Sequence, residues 1–321
     1  DFRHSTLRPQ TPAIYTSLYD TAASQAPSGA VMSETLSEVG QQARSRDWER
    51  FICALFAPAE RRQAVFAILA FNAELARTRS VVTEPILGEM RLQWWRDALD
   101  RVFDDAANVP VGNPLLAGMA AAIHQYDLPR PVILGMIDAR EKDLEDAPHE
   151  DLEALLAYAG ATSGGVTELT LHALGAYEGA SAEAQDVIRR TGAQLGAAWA
   201  LIGLIRASDA LAGEGRTFVP RRQLEQAGLS PESVIAGEFT ESLGNALQLI
   251  SGIASQYILD CQGLRGQLPK AAIPAFLPAG MAWRYLQRLR RVHYNPAGGV
   301  LEGSRWVSQL GVLWGAVTGR F

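Results

Sequence analysis

Residues 204–220 read Leu-Ile-Arg-Ala-Ser-Asp-Ala-Leu-Ala-Gly-Glu-Gly-Arg-Thr-Phe-Val-Pro and end a long helical pattern rich in Ala and Gly. Within that pattern small residues, among them Gly192, Gly196 and Gly203, recur every three or four positions. Small side chains at this spacing let another helix approach closely. The stretch therefore predicts a tightly packed helix, followed by a turn at Gly215 that shapes its C-terminal end.

The rest of the chain also has helical periodicity. From Ser33 onward apolar residues lie three or four positions apart, and scarcely any segment alternates, which predicts an all-α protein. One helix is predicted from Ser33 through Leu55 and another from about Lys270 to Arg291. Gly164 and Gly165 fall inside a helical pattern, where a glycine pair indicates a kink or a close helix contact. Further helix starts are predicted at Pro58, Pro85, Asn113–Pro114, Asp151, Ser181 and Ser230–Pro231.

The composition limits the domain organisation. A chain of 321 residues that is 48% hydrophobic can bury a substantial core. No internal boundary or repeat is visible, so we expect one helical domain over residues 32–295. Residues 1–31, rich in Ser, Thr, Pro and Gln, are expected to form a flexible extension, either a tail or the remainder of a processed organelle-targeted precursor. Residues 296–321 are expected to form an amphipathic C-terminal tail.

Charge and cysteine content exclude several functions. The net charge of −6 argues against nucleic-acid binding, which needs a basic surface. Cys53 and Cys261 are each isolated in apolar helical patterns, so neither a disulfide framework nor a zinc site is expected, and a reducing compartment fits. The apolar runs are too short for a membrane-spanning helix.

Residues 204–220 resemble a motif of squalene and phytoene synthases, Leu-Arg-Asp-x-x-Glu-Asp-x-x-x-Gly-Arg-x-Tyr-Leu-Pro. The resemblance implies an isoprenoid synthase-type helical bundle. In that family the first and last aspartates of this motif hold Mg²⁺ against a substrate diphosphate, but here Ala207 and Leu211 stand at their positions. The positions that match without a gap are Arg206, Gly215, Arg216, Phe218 and Pro220.

The family's other aspartate motif is altered as well. It resembles residues 69–80, but its aspartate positions hold Ala76, Arg77 and Ser80. The positive charge of Arg77 and its neighbour Arg79 would repel Mg²⁺. Asp209 lies two residues from either aspartate position of the second motif, a helical rotation of about 200°, so it does not replace them. We therefore predict no catalytic residues, no metal and no cofactor.

A closer resemblance indicates a non-catalytic branch of the family. The segments 70–76, 84–95, 138–141 and 269–278 are similar to those of squalene/phytoene synthase-like assembly factors of respiratory complex I and their bacterial relatives. This implies a silent assembly factor or accessory subunit that binds complex I subunits or other inner-membrane proteins. Its expected location is the matrix side of the mitochondrial inner membrane, or the cytoplasm of a bacterium.

Two alternatives remain open. One is an active prenyl-diphosphate condensing transferase that uses displaced carboxylates such as Asp138, Glu141 and Asp209. The other is an isoprenoid- or lipid-binding protein without chemistry. Asp138 and Glu141 are also typical of a solvated helix end with salt bridges. The residues expected to line a vestigial pocket are Arg206, Asp209, Arg216, Asp138, Glu141, Phe71 and Tyr158.

The C-terminal segment suggests a contact with a membrane or a partner. Trp306, Leu310, Leu313 and Trp314 are spaced as a short amphipathic helix, flanked by arginines. Such a helix lies in a membrane interface, or it packs on the body of the protein or on a partner subunit. The basic run over residues 284–291 either faces anionic lipid or forms an ordinary solvated surface.

Overall fold

The computed structural model describes residues 36–105, 112–299, 301 and 303–321. Over these residues the chain forms helices and no strand, so the predicted all-α fold is confirmed. The extension predicted over residues 1–31 and the helix start at Ser33 lie outside the described residues. None of the described helices is both long and apolar enough to cross a bilayer.

Sixteen α-helices are described. They are α1 (Glu38–Arg46), α2 (Trp48–Ala54), α3 (Ala59–Ala76), α4 (Pro85–Asp104), α5 (Pro114–Tyr126), α6 (Arg130–Ala139), α7 (Leu152–Ala159), α8 (Gly165–Ala173), α9 (Ala182–Arg206), α10 (Ser208–Gly213), α11 (Arg221–Gln226), α12 (Pro231–Ile235), α13 (Glu241–Leu264), α14 (Ile273–Phe276), α15 (Pro278–Arg291) and α16 (Arg305–Thr318). A π-helical turn (Gly160–Gly164) joins α7 to α8. Short 3₁₀ turns include Arg140–Leu144 after α6 and Lys270–Ala272 before α14.

Proline and capping residues set the helix starts that the sequence predicts. Pro85, Pro114 and Pro231 each occupy the first turn of a helix, where the missing N–H of proline costs no hydrogen bond. The side chains of Asn113 and Asp151 accept hydrogen bonds of 3.0 Å from backbone N–H groups of the following turn. Both interactions satisfy donors that the helix itself leaves free.

The first predicted helix is wrong in one respect, because it is broken at Asp47. This residue has φ −143° and ψ 58°, and its carboxylate accepts hydrogen bonds from the backbone N–H (3.3 Å) and Nε (2.7 Å) of Arg50. Aspartate is a favourable N-cap and a poor residue in the interior of a helix. The break separates α1 from α2 and changes the direction in which residues 46–50 point.

The late helix predicted from Lys270 to Arg291 is also divided. A 3₁₀ turn and α14 precede α15, which begins at Pro278. Proline has no N–H to donate and its ring clashes with the preceding turn, so a continuous helix is disfavoured here.

Helices α3 and α9 form the centre of the core. In α3, residues 64–72 are all buried, so the helix is enclosed on every side. Helix α9 packs against α13, α8, α15 and the π-helical turn. At Gly196 the backbones meet: a Cβ added there would lie 2.5 Å from Cα of Gly164. The close helix contact predicted from Gly164 and the small residues of α9 is therefore confirmed.

Candidate functional site

Residues 46–50, at the junction of α1 and α2, contact both regions that resemble the family's aspartate motifs. Arg46 binds Glu74 near the end of α3, and Glu49 binds Arg206 at the end of α9. Arg50 donates from Nη1 to Oγ of Ser163 in the π-helical turn, at 3.1 Å. We did not predict this role. The available signal was the charged sequence Arg-Asp-Trp-Glu-Arg directly before the apolar residues 51–57.

Three arginines surround Glu74 at the first motif. Nη1 of Arg46 lies 2.6 Å from Oε2, Arg91 of α4 binds Oε1, and Nη1 of Arg77 lies 3.6 Å from Oε2. The Glu74 side chain is only 13% exposed, whereas the three arginines are 32–41% exposed. We name these four residues the Glu74 cluster. With three cations and one anion, the cluster carries a formal charge of +2.

The charges in the Glu74 cluster perturb one another. Burial alone would raise the pKa of Glu74, but the hydrogen bond from Arg46 and the charges of Arg91, Arg46 and Arg77 outweigh it and lower the pKa. Burial and the neighbouring charges of Arg46 and Arg91 lower the pKa of Arg77. The cluster therefore holds Glu74 as a carboxylate and keeps the guanidinium groups close together despite their repulsion.

At the second motif, Arg206 contacts an acidic side chain and an aromatic ring. Nη1 of Arg206 lies 2.8 Å from Oε2 of Glu49, and its guanidinium lies 4.2 Å from the centroid of the Tyr285 ring. The Tyr285 hydroxyl donates to Oε1 of Glu49. Ala207 links α9 to the short helix α10, which carries the exposed Asp209 and the half-buried Leu211.

Asp138 and Glu141 lie on the surface beside α4. Arg96 donates from Nε to Asp138 at 2.8 Å and from Nη2 to Glu141 at 2.5 Å. The two acidic side chains are 60% and 56% exposed, as in an ordinary surface salt bridge.

Phe71 is fully buried and packs edge-to-face on Trp95, with ring centroids 5.2 Å apart. Phe71 thus belongs to the core.

Tyr158 belongs to a separate polar network. Its hydroxyl donates to Asp143 and accepts from Nη1 of Arg140, both at 2.7 Å. Arg140 also donates to Asp143 at 2.9 Å and to the amide oxygen of Asn72 in α3 at 3.3 Å. Burial, together with the charge of Asp143, raises the pKa of Tyr158 above its ordinary value. The hydroxyl therefore stays protonated and acts as a donor.

The Gly215–Arg216 turn lies near this network. Gly215 has φ +73°, a left-handed conformation that glycine adopts readily, and N–H of Arg216 donates to O of Leu211 at 2.9 Å. Arg216 is 15% exposed and its charge acts on Tyr158. The backbone N–H of Arg221 then donates to O of His149 at 2.8 Å. The chain immediately after residues 204–220 is thus anchored to the loop before α7.

Replacing Tyr158 with Phe tests how much its hydrogen-bond network contributes to the stability of the protein. We expect the free energy of unfolding to fall by about 1–2 kcal/mol, because Asp143 and Arg140 each lose a hydrogen bond in a partly buried setting. Chemical denaturation followed by circular dichroism measures the change. The matched control is Tyr126→Phe, whose exposed hydroxyl donates to O of Glu60 at 2.7 Å and should cost about 0.5 kcal/mol or less. Equal losses in the two variants would contradict a structural role for the network.

The residues present do not fit a Mg²⁺–diphosphate centre. Mg²⁺ in proteins is held chiefly by carboxylate oxygens and water. The one acidic side chain of the Glu74 cluster is already bound by guanidinium groups. Within the described ranges, no three acidic, His or Cys side chains are grouped so that they could hold a metal ion. Ala76, Arg77, Ser80, Ala207 and Leu211, the positions at which the resemblance to the family places aspartates, carry no carboxylate.

An apolar cavity lies between α2, α3, α8 and α9. It is lined by Arg50, Leu69, Thr167 and Trp199, among others, and its volume is about 30 Å³. Pockets that bind small molecules have volumes of about 300–1,000 Å³. This cavity is about the size of one water molecule and does not accommodate an isoprenoid chain.

The family model for squalene/phytoene synthase matches residues 43–307, and the chain belongs to this family. Among curated relatives it is similar to "NADH dehydrogenase (ubiquinone) complex I, assembly factor 6" of Rattus norvegicus, with 28% identity over 253 residues, which are 78% of this chain and 73% of the relative. The Homo sapiens protein of the same name is 27% identical over 252 residues, with the same coverage. Phytoene synthase 1, chloroplastic, of Arabidopsis thaliana is 27% identical over 205 residues, covering 62% of this chain and 46% of that protein.

Solved structures agree on the fold. A dehydrosqualene synthase in complex with ligand superposes with a TM-score of 0.71 at 14% identity, covering 88% of this chain and 94% of the other. The squalene synthase HpnC from Alicyclobacillus acidocaldarius gives a TM-score of 0.67 at 21% identity, covering 80% and 94%. These likenesses confirm the predicted isoprenoid synthase-type helical bundle.

Proposed function

We propose that this protein is a catalytically silent member of its family that acts as an assembly factor or accessory subunit of respiratory complex I. The observation that carries the proposal is the Glu74 cluster. Three arginines and one carboxylate give the first motif a charge of +2, where a Mg²⁺–diphosphate site needs excess negative charge to hold its metal ions. The site is stabilised by internal ion pairs in place of metal ions.

The names of similar proteins support complex I as the proposed partner. Proteins from mammals, Dictyostelium discoideum and Drosophila melanogaster that match most of this chain are named complex I assembly factor 6 or its homolog. We place the protein at the matrix face of the mitochondrial inner membrane, bound to complex I subunits or other proteins of that membrane. The equivalent place in a bacterium is the cytoplasmic face of the membrane that holds complex I.

The alternatives have less support. A transferase that uses displaced carboxylates needs Asp138, Glu141 and Asp209 to act together, but two of these bind Arg96 on the surface and the third lies on α10. An isoprenoid-binding protein needs an interior pocket, and the volume of about 30 Å³ beside Arg50 counts against one there.

Affinity purification in a gentle detergent tests the proposed partner. We expect the full-length protein to co-purify with complex I subunits, and cells that lack it to accumulate less assembled complex I. Re-expression of the protein should restore the complex. Normal complex I in the deficient cells, together with a protein that fractionates away from its subunits, would overturn the assembly role.

Catalytic silence has its own test. The purified protein is incubated with farnesyl or geranylgeranyl diphosphate and Mg²⁺, and release of diphosphate and formation of a condensed product are measured. We expect neither to exceed a blank without protein, because the Glu74 cluster repels Mg²⁺. An active dehydrosqualene synthase serves as the positive control. Turnover that disappears on mutation of Asp138 or Glu141 would favour the transferase instead.

A further inference from the structure

Helix α16 exposes a row of large apolar side chains. Trp306, Leu310, Trp314 and Val317 are 76%, 65%, 63% and 77% exposed, and Leu313 is 49% exposed. At about 100° per residue these positions share one face of the helix. A surface helix of a globular protein normally turns its polar face to solvent. The exposed apolar row therefore indicates a contact that the isolated chain does not make.

The opposite face of α16 is already packed. Val312 and Gly315 are buried, and a Cβ on Gly315 would lie 3.0 Å from the Leu277 side chain. Gly311 leaves room for the guanidinium of Arg284 in α15. Small residues thus hold the helix against the body of the protein, while its largest apolar side chains point away. The exposed row is available for contact without any rearrangement of the helix.

The sequence around this row is strongly basic. Residues 270–321 contain seven Lys or Arg and a single Glu, whereas the remaining residues contain 22 basic and 34 acidic side chains. A chain with net charge −6 therefore carries a C-terminal segment with a charge of +6. Of these cations, Arg305 and Arg320 are exposed and flank the exposed apolar row in the sequence.

Among the described residues, Arg288, Arg290 and Arg305 form no ion pair, and their contacts are with neutral groups. Arg305 stacks on Trp48, with its guanidinium 5.5 Å from the ring centroid, and Arg290 lies 5.7 Å from the Trp283 ring and donates to Ser255 at 3.2 Å. Arg288 donates to the backbone O of Leu301 at 3.1 Å. Rings, hydroxyls and carbonyls orient a guanidinium without neutralising it. The surface is thus suited to a partner with a high density of negative charge.

A second exposed apolar row provides a contrast. Ile86, Met90 and Trp94 of α4 are 57%, 63% and 42% exposed and lie on one face of that helix. Residues 84–105 contain six acidic and three basic side chains. An acidic setting disfavours an anionic surface, so the two rows differ in the partner they fit although both are apolar.

We propose that α16 docks flat on an anionic lipid bilayer, with Trp306, Leu310 and Trp314 inserted at the level of the headgroups. Tryptophan and leucine on one face, with arginine alongside, are the features of interfacial helices. The exposed Arg290, Arg291 and Arg305 add attraction to anionic lipid, which is screened by salt. This proposal deepens the proposed function by naming the surface that contacts the membrane. It rests on the proposed function only for the identity of that membrane, the one that holds complex I.

Vesicle co-flotation of the full-length protein tests the docking. Vesicles of phosphatidylcholine with phosphatidylglycerol are expected to bind the protein about tenfold or more tightly than vesicles of phosphatidylcholine alone, with the difference lost at high salt. The variant Trp306→Ala/Leu310→Ala/Trp314→Ala should lower this binding at least about tenfold. The tryptophan emission of the unaltered protein should shift to the blue on binding. All three side chains are exposed, so thermal unfolding of the variant should be unchanged.

The matched control is Ile86→Ala/Met90→Ala/Trp94→Ala, which removes a similar row from α4 and should leave vesicle binding intact. Equal loss in both variants, or a triple α16 variant that binds vesicles normally, would overturn the proposal. The proposal would also be overturned if the triple α16 variant changed only the oligomeric state or the set of co-purified proteins, because α16 would then bind a protein and not lipid. The vesicle assay contains no complex I, so a protein that binds vesicles but never co-purifies with complex I would overturn the proposed function alone.

Discussion

Replacing Gly196 with Ala is expected to lower the free energy of unfolding by about 2–3 kcal/mol. The added Cβ would lie 2.5 Å from both Cα of Gly164 and O of Ser163, and 2.7 Å from N of Gly164. These are backbone atoms, so no side-chain rotation relieves the clash. Helix α9 and the π-helical turn would have to move apart, and a shift of the turn would displace the Ser163 hydroxyl that Arg50 binds.

The control for Gly196→Ala lies in the same helix. Gly203 is also in α9, but a Cβ there meets nothing within 4 Å. Gly203→Ala should leave stability unchanged or raise it by up to about 1 kcal/mol, because alanine favours a helix over glycine. Denaturant unfolding followed by circular dichroism compares the two variants. If Gly196→Ala is as stable as Gly203→Ala, the backbones of α9 and the π-helical turn are not in contact.

Local chemistry made much of the fold predictable. Proline at the first turn, as at Pro85 and Pro114, and a side-chain cap such as Asn113 act within a few residues of the helix start, so the sequence alone reveals them. The small-residue spacing around Gly196 likewise predicted a close contact, although not its partner. The break at Asp47 was not predictable in this way. Asp47 can either continue the first helix or cap the start of the next one, and the spacing of apolar residues is the same in both cases.

The candidate site was less predictable because its contacts are distant in sequence. Glu49 and Arg206 are 157 residues apart, and Arg46 and Glu74 are 28 apart. A motif alignment identifies Arg77 as a charge reversal, but it does not show that Arg46 and Arg91 converge on the same carboxylate. The cluster is created by the fold that brings α1, α3 and α4 together.

For helix α16, the sequence pattern predicts the helix but not which of its faces packs against the protein. The spacing of Trp306, Leu310 and Trp314 predicts an amphipathic helix, and an apolar face of that kind ordinarily packs on the core. In the structure the face with Val312 and Gly315 is buried and the larger residues are exposed. Which face packs depends on close fit to Leu277 and Arg284, and the sequence pattern does not contain that information.

Replacing Glu74 with Gln is expected to destabilise the protein by about 2–3 kcal/mol. Glutamine is nearly isosteric but neutral, so Arg46, Arg77 and Arg91 would lose their shared counter-charge. Removing one partner of a fully buried ion pair costs about 3–5 kcal/mol, and the partial exposure of the arginines reduces the effect here. The measurement is the free energy of unfolding in denaturant at neutral pH.

Two further variants separate this effect from a general response to charge removal. Glu178→Gln removes the partner of Arg61, 2.9 Å away, but Glu178 is 70% exposed and the loss should stay below about 1 kcal/mol. The double variant Glu74→Gln/Arg77→Gln should recover part of the stability lost in Glu74→Gln, because one of the repelling cations is gone. A double variant less stable than Glu74→Gln would contradict repulsion within the cluster.

The same variant should change the pH dependence of stability. Because the pKa of Glu74 is lower in the folded protein than in the unfolded chain, acidification protonates the unfolded chain first. The stabilising contribution of Glu74 is complete above the pKa of an unperturbed glutamate, about 4.3, and is lost as the pH falls through the lower folded value. The stability difference between the unaltered protein and Glu74→Gln should therefore be largest at neutral pH and shrink on acidification. A difference that is constant down to low pH would mean that shape, and not the charge of Glu74, stabilises the cluster.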